Sequence, residues 1–258
     1  MQNFINYKNS KIAYSDVGKG SAVVLLHGFL ENSTMWKDIV FELSKRNRVI
    51  CIDLLGHGNT DYIGYVHSMD DMAEAVKEVL NNLRIRRSIF IGHSMGGYVA
   101  LAFAEKYLKN VKGLCLLNST AQADNEERKE LRKRACDMAQ KNYEPLIKMS
   151  ITNLFFENNR LELIEEVEQV KNEALKVSVR GYIAANEGMC LRDNKEAVLK
   201  SIEKRLIVLG KKDPVLNYEL IIDEAKRTNT PLVELPNGHM SHLEDKDETI
   251  KILRAFVK

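Results

Sequence analysis

The sequence is poor in cysteine, and the four cysteines that it has are not spaced as partners. They are scattered through the 258 residues, without the spacing of a disulfide framework or of a metal site, at Cys51, Cys115, Cys136 and Cys190. Three of them fall inside apolar runs, which is typical of reduced thiols. No histidine and carboxylate pairs have metal-ligand spacing either, so we expect no metal and no other cofactor.

Charge of one sign and long apolar stretches are also missing. The net charge is only +2 at pH 7, acids and bases are mixed, and no basic stripe indicates a nucleic-acid partner. No run approaches the length that crosses a membrane, and the N-terminus lacks a basic head followed by an apolar stretch. We therefore expect a cytoplasmic protein without a membrane partner, in which the glycosylation sequons at Asn32 and Asn118 stay unmodified.

What is present is an alternation of strand-like and helix-like segments. Apolar runs suited to buried strands, separated by helical patterns, occupy residues 22–26, 48–53, 88–93 and 111–117. Such alternation predicts right-handed crossovers and a mostly parallel central sheet with helices on both faces, an α/β fold. A short hairpin, residues 3–7 and 11–16, is expected at one edge of the sheet.

The alternation stops between residues 121 and 195. This stretch is densely charged, has helical spacing and contains no β-type run of useful length. It is too long to be a connecting loop, so we predict a helical insertion over the carboxyl ends of the strands. Because the α/β pattern resumes at Arg205, the predicted organisation is a core of residues 1–120 and 196–258 with a helical cap of residues 121–195.

One turn carries the clearest chemical signal. The run Gly92-His93-Ser94-Met95-Gly96 follows an apolar strand and precedes an apolar, alanine-rich helix, which is a strand–turn–helix pattern. A serine on such a sharp turn is strained, so Gly92 and Gly96 must lack side chains where the backbone closes in. The hydroxyl of Ser94 then stands at a helix N-terminus, where developing negative charge is favoured.

Two further polar residues should share the sheet edge with Ser94. Asp213 and His239 each lie just beyond a predicted strand, and the carboxyl ends of parallel strands meet at one edge. The order Ser94, Asp213, His239 is the nucleophile, acid and base order of a serine hydrolase of this fold. His242 competes as the base, but it lies further from the strand, so His239 is preferred.

These motifs together carry a family resemblance. The chain resembles the α/β-hydrolase fold superfamily over essentially its whole length, through His27-Gly28-Phe29, Asp53-Leu54-Leu55-Gly56-His57-Gly58, Gly92-His93-Ser94-Met95-Gly96-Gly97, Gly210-Lys211-Lys212-Asp213 and Gly238-His239. The resemblance implies a lid-bearing, esterase-like serine hydrolase. It also implies that the backbone N–H groups of Phe29 and Met95 form the oxyanion hole.

Other polar residues are expected to have structural roles. Three histidines in or beside turns are expected to order the backbone: His27, His57 and His93. We expect His67 to be solvated and Asp53 to belong to a turn. By the same resemblance, Asp193 is expected to tie the lid to the core through an ion pair.

The expected reaction is hydrolysis of carboxylic esters with a small to medium acyl group, through an acyl-serine intermediate. Ser94 stands where dehalogenases and epoxide hydrolases of this fold have Asp, which disfavours those activities. Trp36, Met35 and Tyr98 are expected to line an apolar substrate pocket. The small-molecule ester is the expected partner of a monomer or homodimer.

Two alternatives stay open. The first is a carbon–carbon bond hydrolase or lyase similar to the menaquinone-pathway synthase. That subgroup usually has Arg after the paired glycines, where this chain has Tyr98. The second is a small-molecule receptor that uses an intact catalytic triad.

Overall fold

The computed structural model describes residues 2–258; Met1, the first residue of the predicted core, lies outside this range. Eight strands form one sheet: β1 (Gln2–Tyr7), β2 (Ser10–Val17), β3 (Ser21–Leu26), β4 (Asn47–Ile52), β5 (Ser88–His93), β6 (Val111–Leu117), β7 (Arg205–Gly210) and β8 (Leu232–Leu235). Their order is β1-β2-β4-β3-β5-β6-β7-β8. The first two strands form the predicted edge hairpin and pair antiparallel, and the six strands from β4 to β8 in the sheet order are parallel.

Helices cover both faces of this sheet. The α-helices are α1 (Lys37–Leu43), α2 (Met69–Asn82), α3 (Met95–Tyr107), α4 (Glu126–Lys141), α5 (Tyr143–Thr152), α6 (Ile164–Ala174), α7 (Val179–Cys190), α8 (Glu196–Ser201), α9 (Tyr218–Thr228), α10 (Ser241–Glu244) and α11 (Lys246–Phe256). Among residues 2–258, none of them combines the length and apolar character needed to cross a bilayer.

Alternate residues of each central strand face opposite helical layers. Val24 and Leu26 of β3 pack with α2 and α3, whereas Val23 and Leu25 pack with α1 and α11. All four side chains are fully buried, which explains why the central strands are continuous apolar runs. The predicted α/β fold with a mostly parallel, doubly covered sheet is therefore confirmed.

Five α-helices, α4 to α8, stand between β6 and β7, and the first four, α4 to α7, form the helical segment. Their apolar residues form a third cluster that includes Ile147, Phe155 and Tyr182, together with Leu30 and Met240 from loops at the carboxyl edge of the sheet. The helical segment of residues 121–195 therefore lies over that edge. One backbone hydrogen bond joins the two ends of this segment: Lys195 N donates to Ala121 O at 2.7 Å.

The expectation that His67 is solvated was wrong, because helix α7 covers it. His67 is fully buried, its N–H donates to Ala184 O at 2.9 Å, and its Nε2 accepts from Ile63 N at 3.1 Å. Gly188 of α7 packs so closely on the His67 carbonyl that a Cβ at position 188 would clash with it. Burial lowers the pKa of this imidazole.

The expected ion pair of Asp193 was also wrong. Within residues 2–258, Asp193 forms no ion pair, whereas its neighbour Arg192 donates to Asp124 at 2.7 Å. Asp124 is the buried carboxylate here, and it precedes α4 instead of following α7. Because Arg192 and Asp124 both lie within residues 121–195, their ion pair joins the two ends of the helical segment and is not the expected tie to the core.

Candidate active site

Ser94 occupies a strained turn between β5 and α3. Its φ of 48° and ψ of −117° lie in the left-handed half of backbone space, which a residue with a Cβ rarely adopts. A Cβ on Gly92 would run into the backbone of Gly96, and a Cβ on Gly96 would run into the Leu26 carbonyl. The two glycines are therefore needed for the reason that the sequence suggested.

The turn is held by the end of the neighbouring strand. Ser94 N donates to Leu117 O at 3.0 Å, and Ser119 Oγ donates to Ser94 O at 2.7 Å. Within residues 2–258, Ser94 Oγ itself forms no hydrogen bond. Hydrogen bonds between catalytic side chains are often long without substrate and shorten when a substrate binds. The hydroxyl faces a cavity, as described below.

Asp213 and His239 meet at the ends of β7 and β8. Asp213 Oδ2 lies 2.7 Å from His239 Nδ1, and both side chains are almost fully buried. Asp213 Oδ1 accepts hydrogen bonds from the N–H groups of Val215 at 2.8 Å and Leu216 at 3.0 Å. Burial alone would raise the pKa of Asp213, but His239 and these hydrogen bonds hold it below the ordinary value. The carboxylate is thus ionised and fixed in orientation.

Asn118 is a site residue that the sequence analysis noticed only as a glycosylation sequon. It directly follows β6, and its Nδ2 donates to Asp213 Oδ2 and to Gly238 O, each at 3.1 Å. The signal that could have revealed it is its position, since β6 ends at the same edge as the strands before Ser94 and Asp213. Asn118 connects the acid to the loop that carries His239.

A cavity of about 280 Å³ opens at Ser94 and His239. Phe29 and Tyr98 line its floor with them, and the helical segment supplies its roof, namely Arg128, Leu131, Arg132, Ala135, Ile151 and Tyr182. This volume is slightly below the usual range of ligand sites, about 300–1,000 Å³, so it suits a small ligand. Sequence reasoning missed the two arginines, because a charged helix is usually a solvated one.

Two backbone donors stand beside the cavity. Within residues 2–258, neither the Phe29 N–H nor the Met95 N–H donates a hydrogen bond to protein. Met95 is the first residue of α3, so its N–H belongs to the unpaired group at a helix N-terminus. Both N–H groups are therefore left without an acceptor among the described protein residues, next to the turn that carries Ser94 and the loop after β3.

Two of the three predicted pocket residues lie elsewhere. Tyr98 lines the cavity at Ser94, but Trp36 is fully buried between α1 and the sheet, where it packs with Val23 and Leu25. Met35 lines a separate cavity of about 50 Å³ with Leu30 and His242. Both corrections have one cause: the turn that begins at Asn32 points its apolar side chains into the core and away from the mouth of the sheet.

A buried carboxylate lies behind the cavity. Glu31 Oε2 accepts a hydrogen bond from Gly28 N at 2.8 Å and faces His93 Nδ1 at 2.7 Å. His93 Nε2 faces the carbonyl of His239 at 3.0 Å, so both ring nitrogens meet acceptors and the imidazolium form satisfies both. Burial alone would raise the pKa of Glu31, but His93 lowers it to about 2; burial alone would lower the pKa of His93, but Glu31 raises it.

His242 completes this cluster. Its Nε2 lies 3.8 Å from Glu31 Oε1, and burial lowers its pKa to about 3, so it is neutral. One ligand atom each from Glu31, His93 and His242 lies within 4.8 Å of the others, which is the only such group of three among the described residues. Because the Glu31 to His93 distance is that of a hydrogen bond, we describe the group as a buried ion pair with a neutral histidine beside it. Among the described residues, His242 contacts Glu31 and forms no hydrogen bond to Asp213, so the geometry favours His239 as the partner of the acid.

Comparison with known proteins gives a family. A family model described as the α/β hydrolase fold matches residues 21–246. The structure superposes on a thermophilic esterase from Thermogutta terrifontis, in a malate-bound form, with a TM-score of 0.91 and 30% identity over 100% of both chains.

Curated relatives match over different lengths. Uncharacterized proteins of Mycobacterium are 37% identical over 107 residues, which is 42% of this chain but only 31% of theirs. The chain thus spans about a third of the length of these relatives. Two relatives match along most of both chains. The AB hydrolase superfamily protein YisY of Bacillus subtilis is 29% identical and covers 93% of each. The 3-oxoadipate enol-lactonase 1 of Acinetobacter baylyi is 23% identical and covers 92% of this chain and 88% of its own.

Proposed function

The chain belongs to the α/β-hydrolase fold family, and we propose that it hydrolyses carboxylic esters through an acyl-serine intermediate, with Ser94, His239 and Asp213 as its catalytic residues. The fold and the esterase and enol-lactonase neighbours support hydrolase activity. The observation that carries the finer proposal is the 2.7 Å contact of His239 Nδ1 with Asp213 Oδ2, in a cavity that both His239 and Ser94 line.

The first half of the proposed reaction transfers the acyl group of the ester to Ser94. His239 Nε2 removes the proton of Ser94 Oγ as the oxygen attacks the ester carbonyl carbon. Asp213 accepts the Nδ1–H of His239, which fixes the tautomer and stabilises the imidazolium. The backbone N–H groups of Phe29 and Met95 donate to the oxyanion, and each such donor typically contributes about 10²–10³ in rate.

Collapse of the tetrahedral intermediate completes the first half of the reaction. The C–O bond to the alcohol breaks, His239 gives its proton to the leaving oxygen, and the acyl group stays on Ser94. Water then repeats the same steps, with His239 as the base, and releases the carboxylic acid. The helical segment of residues 121–195 acts in this proposal as a cap that limits access of bulk water to the intermediate.

A substrate series tests the proposal. Hydrolysis of 4-nitrophenyl esters from acetate to long acyl chains is measured for the native protein and for Ser94→Ala. We expect steady turnover of short and medium esters, and a loss of about a thousandfold or more in the variant, with unchanged circular dichroism. Acyl-enzyme formation by Ser94→Ala would contradict the assignment. If no ester is hydrolysed, the result favours the two alternatives, a carbon–carbon bond hydrolase or lyase and a small-molecule receptor.

Lactones belong in the same panel. A lactone is an internal ester, so the same steps open its ring and leave the alcohol attached to the acid. The name of the Acinetobacter relative as an enol-lactonase is the reason to include one. Comparable kcat/KM values for a lactone and an open ester would extend the proposal to both.

A further inference from the structure

The roof of the cavity carries two arginines on one face of α4. Arg128 and Arg132 are four residues apart, so they lie on the same side of the helix, and both line the cavity that contains Ser94. Two cationic groups that face one small, half-open cavity repel each other unless an anion balances them. The nearby carboxylates decide whether such an anion is already present.

One buried carboxylate is shared by three guanidinium groups. Asp124 accepts from Arg132 Nε at 2.6 Å and from Arg192 Nη2 at 2.7 Å, and Arg128 Nε lies 3.7 Å away. One negative charge against three positive charges leaves a surplus of two. Burial and the neighbouring Arg132 lower the pKa of Arg128, which is consistent with an incompletely balanced positive charge.

No other carboxylate compensates this surplus at the cavity. Among the described residues that line it, Glu31 is the one acidic side chain, and it is paired with His93. The net charge of the lining therefore stays positive. A negatively charged ligand group is the natural complement of this surface.

The three arginines differ in the donors that they have left. All three nitrogens of Arg192 already donate, to Gln122 O, Met189 O and Asp124, and its Cζ lies 4.0 Å from the Tyr98 ring centroid. Arg128 donates only through Nη1, to Val215 O at 3.1 Å. Arg132 uses Nε and Nη1 for Asp124 and Asn186. Within residues 2–258, Nη2 of Arg128 and Nη2 of Arg132 have no acceptor.

We propose that Arg128 and Arg132 bind a free carboxylate of the substrate, so that the preferred substrates are small esters that carry a second, ionised carboxyl group. This inference rests on the proposed ester hydrolysis and names its substrate class. Two planar guanidinium groups with free Nη donors suit the two oxygens of a carboxylate. The absence of an arginine at position 98 does not disfavour an acidic substrate, because the cations come from α4.

Matched ester pairs test the inference. On the acyl side, mono-4-nitrophenyl adipate is compared with 4-nitrophenyl hexanoate, after subtraction of spontaneous hydrolysis. On the alcohol side, 2-carboxyethyl butanoate is compared with propyl butanoate. We expect kcat/KM to favour the carboxylate in at least one pair by roughly tenfold to a hundredfold, since a hydrogen bond to a charged group is of that strength. The preference should fall with added salt.

The variant Arg128→Gln should reduce this preference by about tenfold. The ratio of two substrates on one sample cancels any loss of folded protein, and Arg132→Gln provides a second variant. The matched control is Arg134→Gln on the same helix, which makes the same charge change at a side chain that is 72% exposed and paired with Glu130. The control should keep the native ratio.

Each outcome decides a different question. If neutral esters are hydrolysed and neither carboxylate is preferred, the inference is overturned and the proposed function stands. If the native protein hydrolyses neither member of either pair, ester hydrolysis fails, and calorimetric titration with adipate and hexanoate then decides the inference. Adipate heat that is lost in Arg128→Gln supports the carboxylate site, and no adipate binding by the native protein refutes it.

Discussion

Glu31 connects the loop after β3 to the end of β5 and, through His93, to the loop that carries His239. It holds Gly28, beside the Phe29 donor, and His93, beside Ser94, and His93 in turn holds the carbonyl of His239. All of these groups are buried, so solvent only weakly screens the attraction between Glu31 and His93. The carboxylate does not touch the reacting atoms, and we regard it as a positioning residue.

Replacing this carboxylate by its amide should be costly. Glu31→Gln keeps the shape but leaves His93 buried without its anion, and breaking a buried pair costs about 3–5 kcal/mol. We expect the free energy of unfolding, measured with urea at pH 7, to fall by that order. The control Glu126→Gln changes an exposed carboxylate of α4 and should shift it by less than about 0.5 kcal/mol.

The pH dependence of this difference has a defined sign. The folded pKa of Glu31, about 2, is below its ordinary 4.5, so its ionised form stabilises the fold above pH 4.5 and that contribution is lost as pH falls. His93, whose pKa Glu31 raises above the ordinary 6.5, adds stability that is complete below pH 6.5 and is lost as pH rises. The gap in unfolding free energy between the native protein and Glu31→Gln should therefore be largest between about pH 4.5 and 6.5 and shrink between about pH 4.5 and 2. A gap that stays constant through this range would argue that Glu31 is not ionised.

Asn118 offers a second prediction at the residue scale. Asn118→Ala removes a donor to Asp213 and a donor to Gly238, so the acid is less well held. A hydrogen bond to a charged group is worth about 1.5–3 kcal/mol, so we expect kcat/KM for a neutral ester to fall by roughly tenfold or more. Exposed Asn81→Ala on α2 should leave it unchanged. An unaltered kcat/KM in Asn118→Ala would show that the contact to Asp213 is dispensable.

At the scale of elements, the sequence predicted best where local pattern and burial coincide. The central strands are buried on both faces, so each is an apolar run. Ser68 caps α2 by accepting from Asp71 N at 3.0 Å, which is the contact that the Ser-x-x-Asp spacing favours at the start of a helix. Asp213 and His239 were found because loops after parallel strands share one edge. These features depend on a few neighbouring residues or on topology.

Contacts between distant elements could not be predicted in this way. The burial of His67 depends on α7, which begins more than a hundred residues later, and the pairing of Glu31 with His93 joins the loop after β3 to the end of β5. Which face of α4 points to the cavity depends on how the helix packs, so Arg128 was indistinguishable from its solvated neighbours. Periodicity gives the faces of an element but not what each face meets.

Asp124 fastens the start of α4 to the end of α7. It is buried and accepts from Arg132 of α4 and from Arg192 just after α7. Asp124→Asn should leave these cations poorly paired and lower the free energy of unfolding by about 3–5 kcal/mol. The neighbouring acid supplies the control, because Asp193→Asn breaks no ion pair. Faster hydrogen exchange confined to α4 and α7 would locate the effect, and equal stability of the two variants would contradict it.

The reaction rates of the four cysteine thiols measure the stability of the whole fold. Cys51 and Cys115 lie in central strands, and burial raises the pKa of Cys51 to about 12 and that of Cys115 further. Cys190 is the most accessible of the four. We expect iodoacetamide to alkylate Cys190 first in the native protein, with Cys115 reacting only at the rate of global unfolding. Peptide mass spectrometry over a urea series measures both rates, and early reaction of Cys115 would contradict a rigid sheet.

The bond between the two ends of the helical segment has a consequence for how such a molecule can change. Because Lys195 N meets Ala121 O, some seventy residues leave the sheet and return at almost the same point. A segment of another length or sequence in place of residues 121–195 would have to connect two points that lie only one hydrogen bond apart. The roof over Ser94 can thus differ in length or sequence without changing where β6 ends and β7 begins, although Leu154 O would no longer hold the His239 N–H unless the new segment supplies an acceptor there.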